Sequence, residues 1–308
     1  MIDIISEEGD RTTNNIIEWI LSYNKIVQRL NYEEFKDFTI FLSNNKYESK
    51  LKNVFHRRAK LNVIPGSNNF TKYFNFLKEE EDVCIKAFEK INKESFNYIG
   101  GYMEEQQHNK LFDLHIAKKV GLTIPNTLVT NRKEDLLNFY TTCNKRIITK
   151  PIKNSLFIQE EQFLEFGKPT FIVSDEDIDI LDNNFNLGLF QECIDKKFEI
   201  RVFIFKEKVY SMAIFSQNNE KTQMDYRNYD EEKPNRCVPY SLPKLMVNKI
   251  FNFMKYKDID TGSIDIIFSK KNKYYFLENN PQGQFDWLSK NCNYYIEKEI
   301  AETLISQI

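Results

Sequence analysis

"FLENNPQGQF", Phe276 to Phe285, is the stretch whose reading decides the fold. An apolar strand ends in a bare glutamate and two asparagines, and Pro281 and Gly283 then break it. The residues before it, "TGSIDIIFSKKNKYY", read as a strand and a tight turn. With a two-residue turn at Lys271–Asn272, position 270 faces 273, and counting back sets Asp265 opposite Glu278. Directly paired residues stand ~5 Å apart at Cβ, where like charges repel. Such a pair persists if it is solvated, protonated or bridged by a cation. Asn280 lies two residues past Glu278 and shares its face, while Ile264, Ile266 and Leu277 point the other way and can enter a core. Two carboxylates and an amide oxygen on one face make a shelf for a hard cation such as Mg²⁺, completed by waters and phosphate oxygens. A solvated edge hairpin is the plain alternative, and a slip of one residue would scatter the set.

A second constellation lies in "KFEIRVFIF". Glu199, Arg201, Phe203 and Phe205 share one face, and Ile200, Val202 and Ile204 the other. An arginine in so apolar a strand needs an anion, which is either Glu199 itself or a ligand phosphate or carboxylate. Lys150 ends "RIITK" just before Pro151, where a lysine can set a point charge on a phosphate or simply be solvated. In "QMDYRNYD", Asp225 and Arg227 sit in a polar segment after a strand.

The remaining chain reads as α/β. "IDIIS" is a strand and "TTNNIIEWILSYNKIVQRLN" a helix with Thr12 or Thr13 as N-cap. Phe70 to Phe96 is a long, charge-laced helical region. "NKLFDLHIAKKVG" is a helix closed by Gly121. Strands then follow in quick succession, and "WLSKNCNYYIEKEIAETLISQI" ends the chain as one helix.

Composition narrows the function classes. With 43 Lys+Arg against 45 Asp+Glu in 308 residues, no dominant nucleic-acid footprint is expected. No apolar run approaches membrane-spanning length, and the acidic start "MIDIISEEGD" is no signal peptide, so a cytoplasmic protein without a membrane partner is expected. The five cysteines form no CxxC pair and fit neither zinc nor a disulfide framework. Neither G-x-x-x-x-G-K-[ST] nor G-x-G-x-x-G occurs, which removes the main support for P-loop and dinucleotide folds.

The ordered set "NKLFDLHIAKKVGLTIPNTLVTN", "IITKP", "FQECIDKKFEIRVFIF", "DYRNYD", "GSIDIIF" and "FLENNPQGQF" resembles the ATP-grasp ligases from about Asn109 onward. Within them it looks most like the graspetide synthetases, the microviridin-type macrocyclases, and especially the grasp-with-SPASM and chryseoviridin types. "ISEEGDRTTNNIIEWI" is similar to that group's N-terminal lobe. The resemblance implies an ATP-grasp fold with an N-terminal α/β lobe over residues 1–95, a central lobe over 96–190 and a C-terminal lobe over 191–308. It implies ATP and Mg²⁺ as cofactors. Lys110 and Lys150 would hold phosphates, and Gln191, Glu192, Cys193 and Ile194 would meet adenine. Asp265, Glu278 and Asn280 would hold Mg²⁺, and Arg201 and Arg227 would face the γ-phosphate and the activated carboxylate. Glu199 stands where many relatives carry aspartate, and "PIKNSLF" lacks the usual glycines. The implied partner is a precursor peptide with a leader and a core bearing Thr, Ser or Lys and Asp or Glu. Its side-chain carboxylates would become acyl phosphates and close ω-ester or ω-amide rings. Phe70, Tyr73 and Phe74 are candidate leader contacts, with Glu199 a candidate substrate contact, and a homodimer is compatible with the reading. The alternatives are a ligase acting on an amino acid or a protein C-terminus, and a non-catalytic peptide-binding module.

Overall fold

In this computed structural model, residues 1–31, 42–43, 46–47, 51, 53–58, 73–95, 97–106, 108–152, 157–160, 163–166, 170–219, 221–226 and 230–307 are described, and all structural statements concern them. The elements in chain order are β1 (Ile2–Ser6), α1 (Arg11–Ser22), β2 (Val27–Asn31), β3 (Leu42–Ser43), β4 (Lys46–Tyr47), β5 (Asn53–His56), α2 (Phe74–Ser95), β6 (Asn97–Gly100), α3 (Tyr102–Gln106) and α4 (Lys110–Lys119). The middle of the chain forms β7 (Thr127–Arg132), α5 (Lys133–Thr142), β8 (Ile147–Thr149), β9 (Phe157–Glu160), β10 (Phe163–Phe166), β11 (Phe171–Ile172), α6 (Asp175–Asp179) and β12 (Asn184–Glu192). The last part forms β13 (Lys196–Phe205), β14 (Lys208–Phe215), β15 (Arg236–Pro239), α7 (Lys244–Lys257), β16 (Thr261–Ser269), β17 (Tyr274–Asn280), α8 (Asp286–Cys292) and α9 (Ile296–Ile305).

Three larger sheets organise these elements. The first is parallel, in the order β2-β1-β5-β6. Its fourth strand, β6, lies past residue 95 in the chain. The second is antiparallel, β11-β8-β12-β7, and the third is antiparallel, β15-β14-β13-β16-β17. The third sheet is covered on both faces, which explains why the second half of β13, Val202 to Phe205, is an unbroken apolar run. Ile200, Val202, Ile204, Ile264, Ile266 and Phe276 enter one core with α4 and α7. Phe203, Phe205, Met212 and Ile214 enter the other with Ile2, Ile4 and Phe55 of the first sheet. The N-terminal sheet and the third sheet therefore share a core.

Two expectations change. The chain's end is two helices, not one. Asn293 and Tyr295 both take left-handed backbone, and Ser289 knots the break by accepting from the Ile296 amide and donating to Glu297. Leu277 does not enter the core. Phe276 pairs with Ile266 and takes that place, while Leu277 is half-buried and lines a cleft. Two further details differ. The helix read over "TTNNIIEWILSYNKIVQRLN" ends at Ser22, and Val27–Asn31 is the strand β2, paired with β1. Asp10, not a threonine, precedes α1, and its Oδ2 accepts from the Thr13 hydroxyl at 2.6 Å. The five cysteines are all free, in keeping with their scattered spacing.

Candidate active site

The third sheet brings three charged residues into one row. Arg201 on β13 pairs with Asp265 on β16, and Asp265 pairs with Glu278 on β17. This pairing of the carboxylates arises differently from the simple count. The turn holds three residues, Lys270 to Asn272, because the Ser269 amide donates to the Lys273 carbonyl, and Asn272 takes positive φ. That shifts Phe268 to Tyr274, Ile267 to Tyr275 and Ile266 to Phe276. An irregularity between Ile266 and Asp265, with Leu277 as the extra residue, restores the register. Asn280 pairs with Ser263, on the same face as Glu278.

Each carboxylate has its own cation. Arg201 Nη1 stands 2.9 and 3.1 Å from the two oxygens of Asp265, and the Tyr226 hydroxyl donates to Asp265 Oδ1 at 3.3 Å. Arg201 thus pairs with Asp265 and not with Glu199. Burial alone would depress its guanidinium, but Asp265 and Tyr226 more than offset this and hold its pKa above the ordinary value. Lys110 Nζ is 3.3 Å from Glu278 Oε2 and donates to the Pro151 carbonyl at 3.4 Å. Lys110 is placed by the cap of its helix, since Asn109 Oδ1 accepts from the Leu111 and Phe112 amides.

Pro281 and Gly283 also find their reason here. A Cβ on Gly283 would stand 2.6 Å from Arg201 Nη2 and from Ser263 Oγ, so the backbone passes where no side chain fits. Gln284, next in the chain, accepts from Arg201 Nη2 through its carbonyl at 3.3 Å. The Pro281 Cα would be 3.2 Å from a Cβ on Gly262, so the chain beyond β17 also leaves little room at the start of β16.

A cleft of about 260 Å³ opens between this row and the second sheet. Asp265, Glu278 and Leu277 line one side, and Lys150, Ile148 and Ile172 the other. Gln191 to Ile194 run along it as β12 leaves the second sheet. Gln191 Nε2 donates to Thr127 Oγ1 at 3.0 Å, and Glu192 Oε2 accepts from Asn126 Nδ2 at 2.9 Å. The Cys193 amide donates to the Arg146 carbonyl at 3.0 Å, so this amide is already used within the chain. Glu199 lines the cleft but is buried, with Lys196 Nζ at 2.6 Å and the Ser216 hydroxyl donating to it. Burial raises its pKa against the pull of Lys196.

The remaining candidates fall elsewhere. Arg227 and Phe70 lie outside the described residues, as does the side chain of Phe74. Tyr73 and Phe76 are exposed at the start of α2 and do not line the cleft. Sequence reasoning gave no role to Tyr226, Lys196 or Gly283 at this site. Tyr226 had one usable signal, its place between Asp225 and Arg227. Among the described residues no cluster of three His, Cys, Asp or Glu could hold a metal. Asp265 and Glu278 nevertheless meet across one strand pair with Asn280 on the same face, oxygens of the kind that hard divalent cations take.

No family model and no curated protein matches the sequence. Solved structures do match it, and the chain has the fold of the ATP-grasp ligases. It is similar over its whole length to a RiPP-associated ATP-grasp ligase of Chryseobacterium gregarium, solved with ADP and a leader and core peptide. That likeness has 24% identity and a TM-score of 0.84, and covers 97% of the other chain. It is also similar to the macrocyclase MdnC of Microcystis aeruginosa, bound with precursor peptide MdnA, at 26% identity and TM-score 0.76, with both chains covered in full. D-alanyl-alanine synthetase A of Vibrio cholerae matches more distantly, at 13% identity and TM-score 0.56 over 97% of its chain. Among the described residues no helix is long and apolar enough to cross a membrane.

Proposed function

We propose that this chain is an ATP-dependent peptide macrocyclase acting on a ribosomal precursor peptide. One observation carries the reading: Asp265, paired with Arg201, and Glu278 line a cleft in a chain whose full-length neighbours were solved with ADP or precursor peptide. Asp265, Glu278 and Asn280 would hold Mg²⁺, which offsets phosphate charge when bound. Lys150 and Lys110 would meet phosphate oxygens, and Gln191 to Ile194 would line the base. A side-chain carboxylate of the peptide attacks the γ-phosphorus. The bond to ADP breaks and an acyl phosphate forms. A Ser or Thr hydroxyl, or a Lys amine, of the same peptide then attacks the acyl carbon. Phosphate leaves, and the nucleophile's proton passes to solvent. Arg201 offsets negative charge during both steps, and Arg227 would share that work. A hydroxyl is a poor nucleophile, so holding the peptide in place must supply much of the rate. Exposed Tyr73 is the described candidate for leader contact.

Mass spectrometry of a co-expressed neighbouring peptide tests the reading, since each ring removes one water. An unmodified peptide, with turnover of free amino acids instead, would favour a small-molecule ligase. Binding of the peptide without ATP turnover would favour a non-catalytic module.

A further inference from the structure

A second buried arginine lies beneath the turn that touches Arg201. Arg57 follows β5 at the end of the parallel sheet and is only 3% exposed. Its Nε is 2.9 Å from Asp10 Oδ2. Its Nη1 donates to two successive carbonyls, Gln282 at 3.1 Å and Gly283 at 3.2 Å. Its guanidinium carbon stands 5.3 Å from the centroid of Phe285. The Gln282 side chain adds two ties to the N-terminal lobe, accepting from the Arg58 amide at 3.1 Å and donating to the Gly101 carbonyl at 2.9 Å. On the other side of the same turn, Gly283 and the Gln284 carbonyl abut Arg201. The turn is thus a thin layer of backbone between two buried guanidinium groups, each with its own aspartate.

We propose that Arg57 is a positioning residue: from the N-terminal lobe it fixes the Pro281–Gln284 turn, and the turn holds the Arg201 guanidinium in line with Asp265. Burial works against the Arg57 guanidinium and brings its pKa down to about 10, in spite of Asp10, so it remains charged at neutral pH. A buried charge is a costly way to gain stability alone, and apolar residues of like volume often serve as well. Its two-carbonyl grip instead fixes a backbone whose glycine leaves no slack against Arg201. A shift of ~1 Å in a reacting group can cost about a hundredfold in rate. The N-terminal lobe therefore acts on the chemistry without touching the cleft.

The catalytic half of this inference rests on the ligase reading, and its test separates the two. Arg57→Lys keeps the charge facing Asp10 but loses the fork, and Arg57→Met loses both. The first readout is hydrogen exchange of the Arg201 Nε–H by NMR, assigned with Arg201→Lys, and it needs no activity. Exchange is expected to accelerate about tenfold or more in Arg57→Lys, at unchanged far-UV circular dichroism, and further in Arg57→Met. The second readout is peptide-dependent ATP turnover. Arg57→Lys is expected to lower kcat by about 10- to 100-fold with KM for ATP within about threefold, and Arg57→Met to lower kcat more. Wild-type exchange at Arg201 in Arg57→Lys overturns the proposal, as does wild-type kcat in that variant. A wild-type protein that turns over no ATP with any peptide would sink the ligase reading, and the exchange experiment would still decide the positioning.

Discussion

Two buried ion pairs in this chain behave differently. In the candidate active site, Arg201 and Lys110 meet Asp265 and Glu278, so two cations face two carboxylates. Where α2 meets α3, Lys93 pairs with Glu104, but Glu89 and Asp260 also act on that carboxylate. Glu89 is committed elsewhere, accepting from the Tyr102 and Met103 amides at 2.8 and 2.9 Å. The outcomes diverge. Arg201 is held firmly charged, whereas burial raises the Glu104 pKa to about 8 against the pull of Lys93. Burial also works against the Lys93 ammonium, though Glu104 and Asp260 keep its pKa above the ordinary value. Burial alone therefore does not decide whether a charge survives. Both cations are held charged by the carboxylates that face them, whereas the pull of Lys93 on Glu104 is outweighed by burial together with Asp260 and Glu89.

The comparison can be broken most decisively at Glu278. Glu278→Gln leaves Lys110 half-buried without its anion and removes one oxygen of the proposed cation shelf. Ring formation should fall by at least about a hundredfold with the fold retained, read by mass spectrometry and circular dichroism. Near wild-type turnover would remove this row from the chemistry. Arg201→Lys keeps the charge but cannot reach both Asp265 and the Gln284 carbonyl. Turnover should drop about tenfold or more, with a smaller change in ATP affinity by calorimetry. A change in Tm alone would make the pair structural.

Smaller effects sharpen the contrast. Gly283→Ala should cost about 1–3 kcal/mol in urea unfolding, because the new Cβ meets Arg201 and Ser263 at 2.6 Å. Gly188→Ala, in the second sheet, meets the ring edge of Phe190 at 3.0 Å and, in ordinary contact, Phe185 at 3.7 Å, and should cost less. The smallest effect is at the second ion pair. The folded pKa of Glu104 stands above the ~4.3 of an unfolded glutamate, so the folded state holds this proton more tightly. Its contribution to stability is complete below that lower value and is lost as pH rises toward about 8. Tm should therefore be higher at pH 6 than at pH 8.5, by roughly 2–5 °C, and Glu104→Gln should flatten the difference. An unchanged slope in Glu104→Gln would assign it to other groups.

The pairing of the candidate site's charged residues was more legible in the sequence than the N-terminal scaffold. β13 was legible because from Phe198 onward both of its faces are apolar save for Glu199 and Arg201, and its alternation could be counted. The Asp265–Glu278 pairing was legible because two one-residue offsets cancel, one in the turn and one at Leu277. Leu277 itself was misplaced for the same reason, since an extra residue is invisible to a period of two. Strands β2, β5 and β6 were not legible. "VQRLN", "NVFH" and "NYIG" are short, and long-range parallel pairing rather than local pattern makes them strands. Arg57 was lost with them, although "NVFHRR" ends an apolar run in charge much as "RIITK" does. The break at Asn293 was missed because its cause is the tie from Ser289 to Glu297, a contact between two separate helices.

The extra residue at Leu277 has a bearing on solubility as well. β17 is the last strand of its sheet, and a flat outer strand is a template on which other chains can pair and aggregate. Here the kink interrupts that template, Glu278 puts charge beside it, and the Phe276 amide is already taken by the Thr123 carbonyl at 2.8 Å. The irregularity that aligns the two carboxylates thereby makes this border a poor seat for a foreign strand.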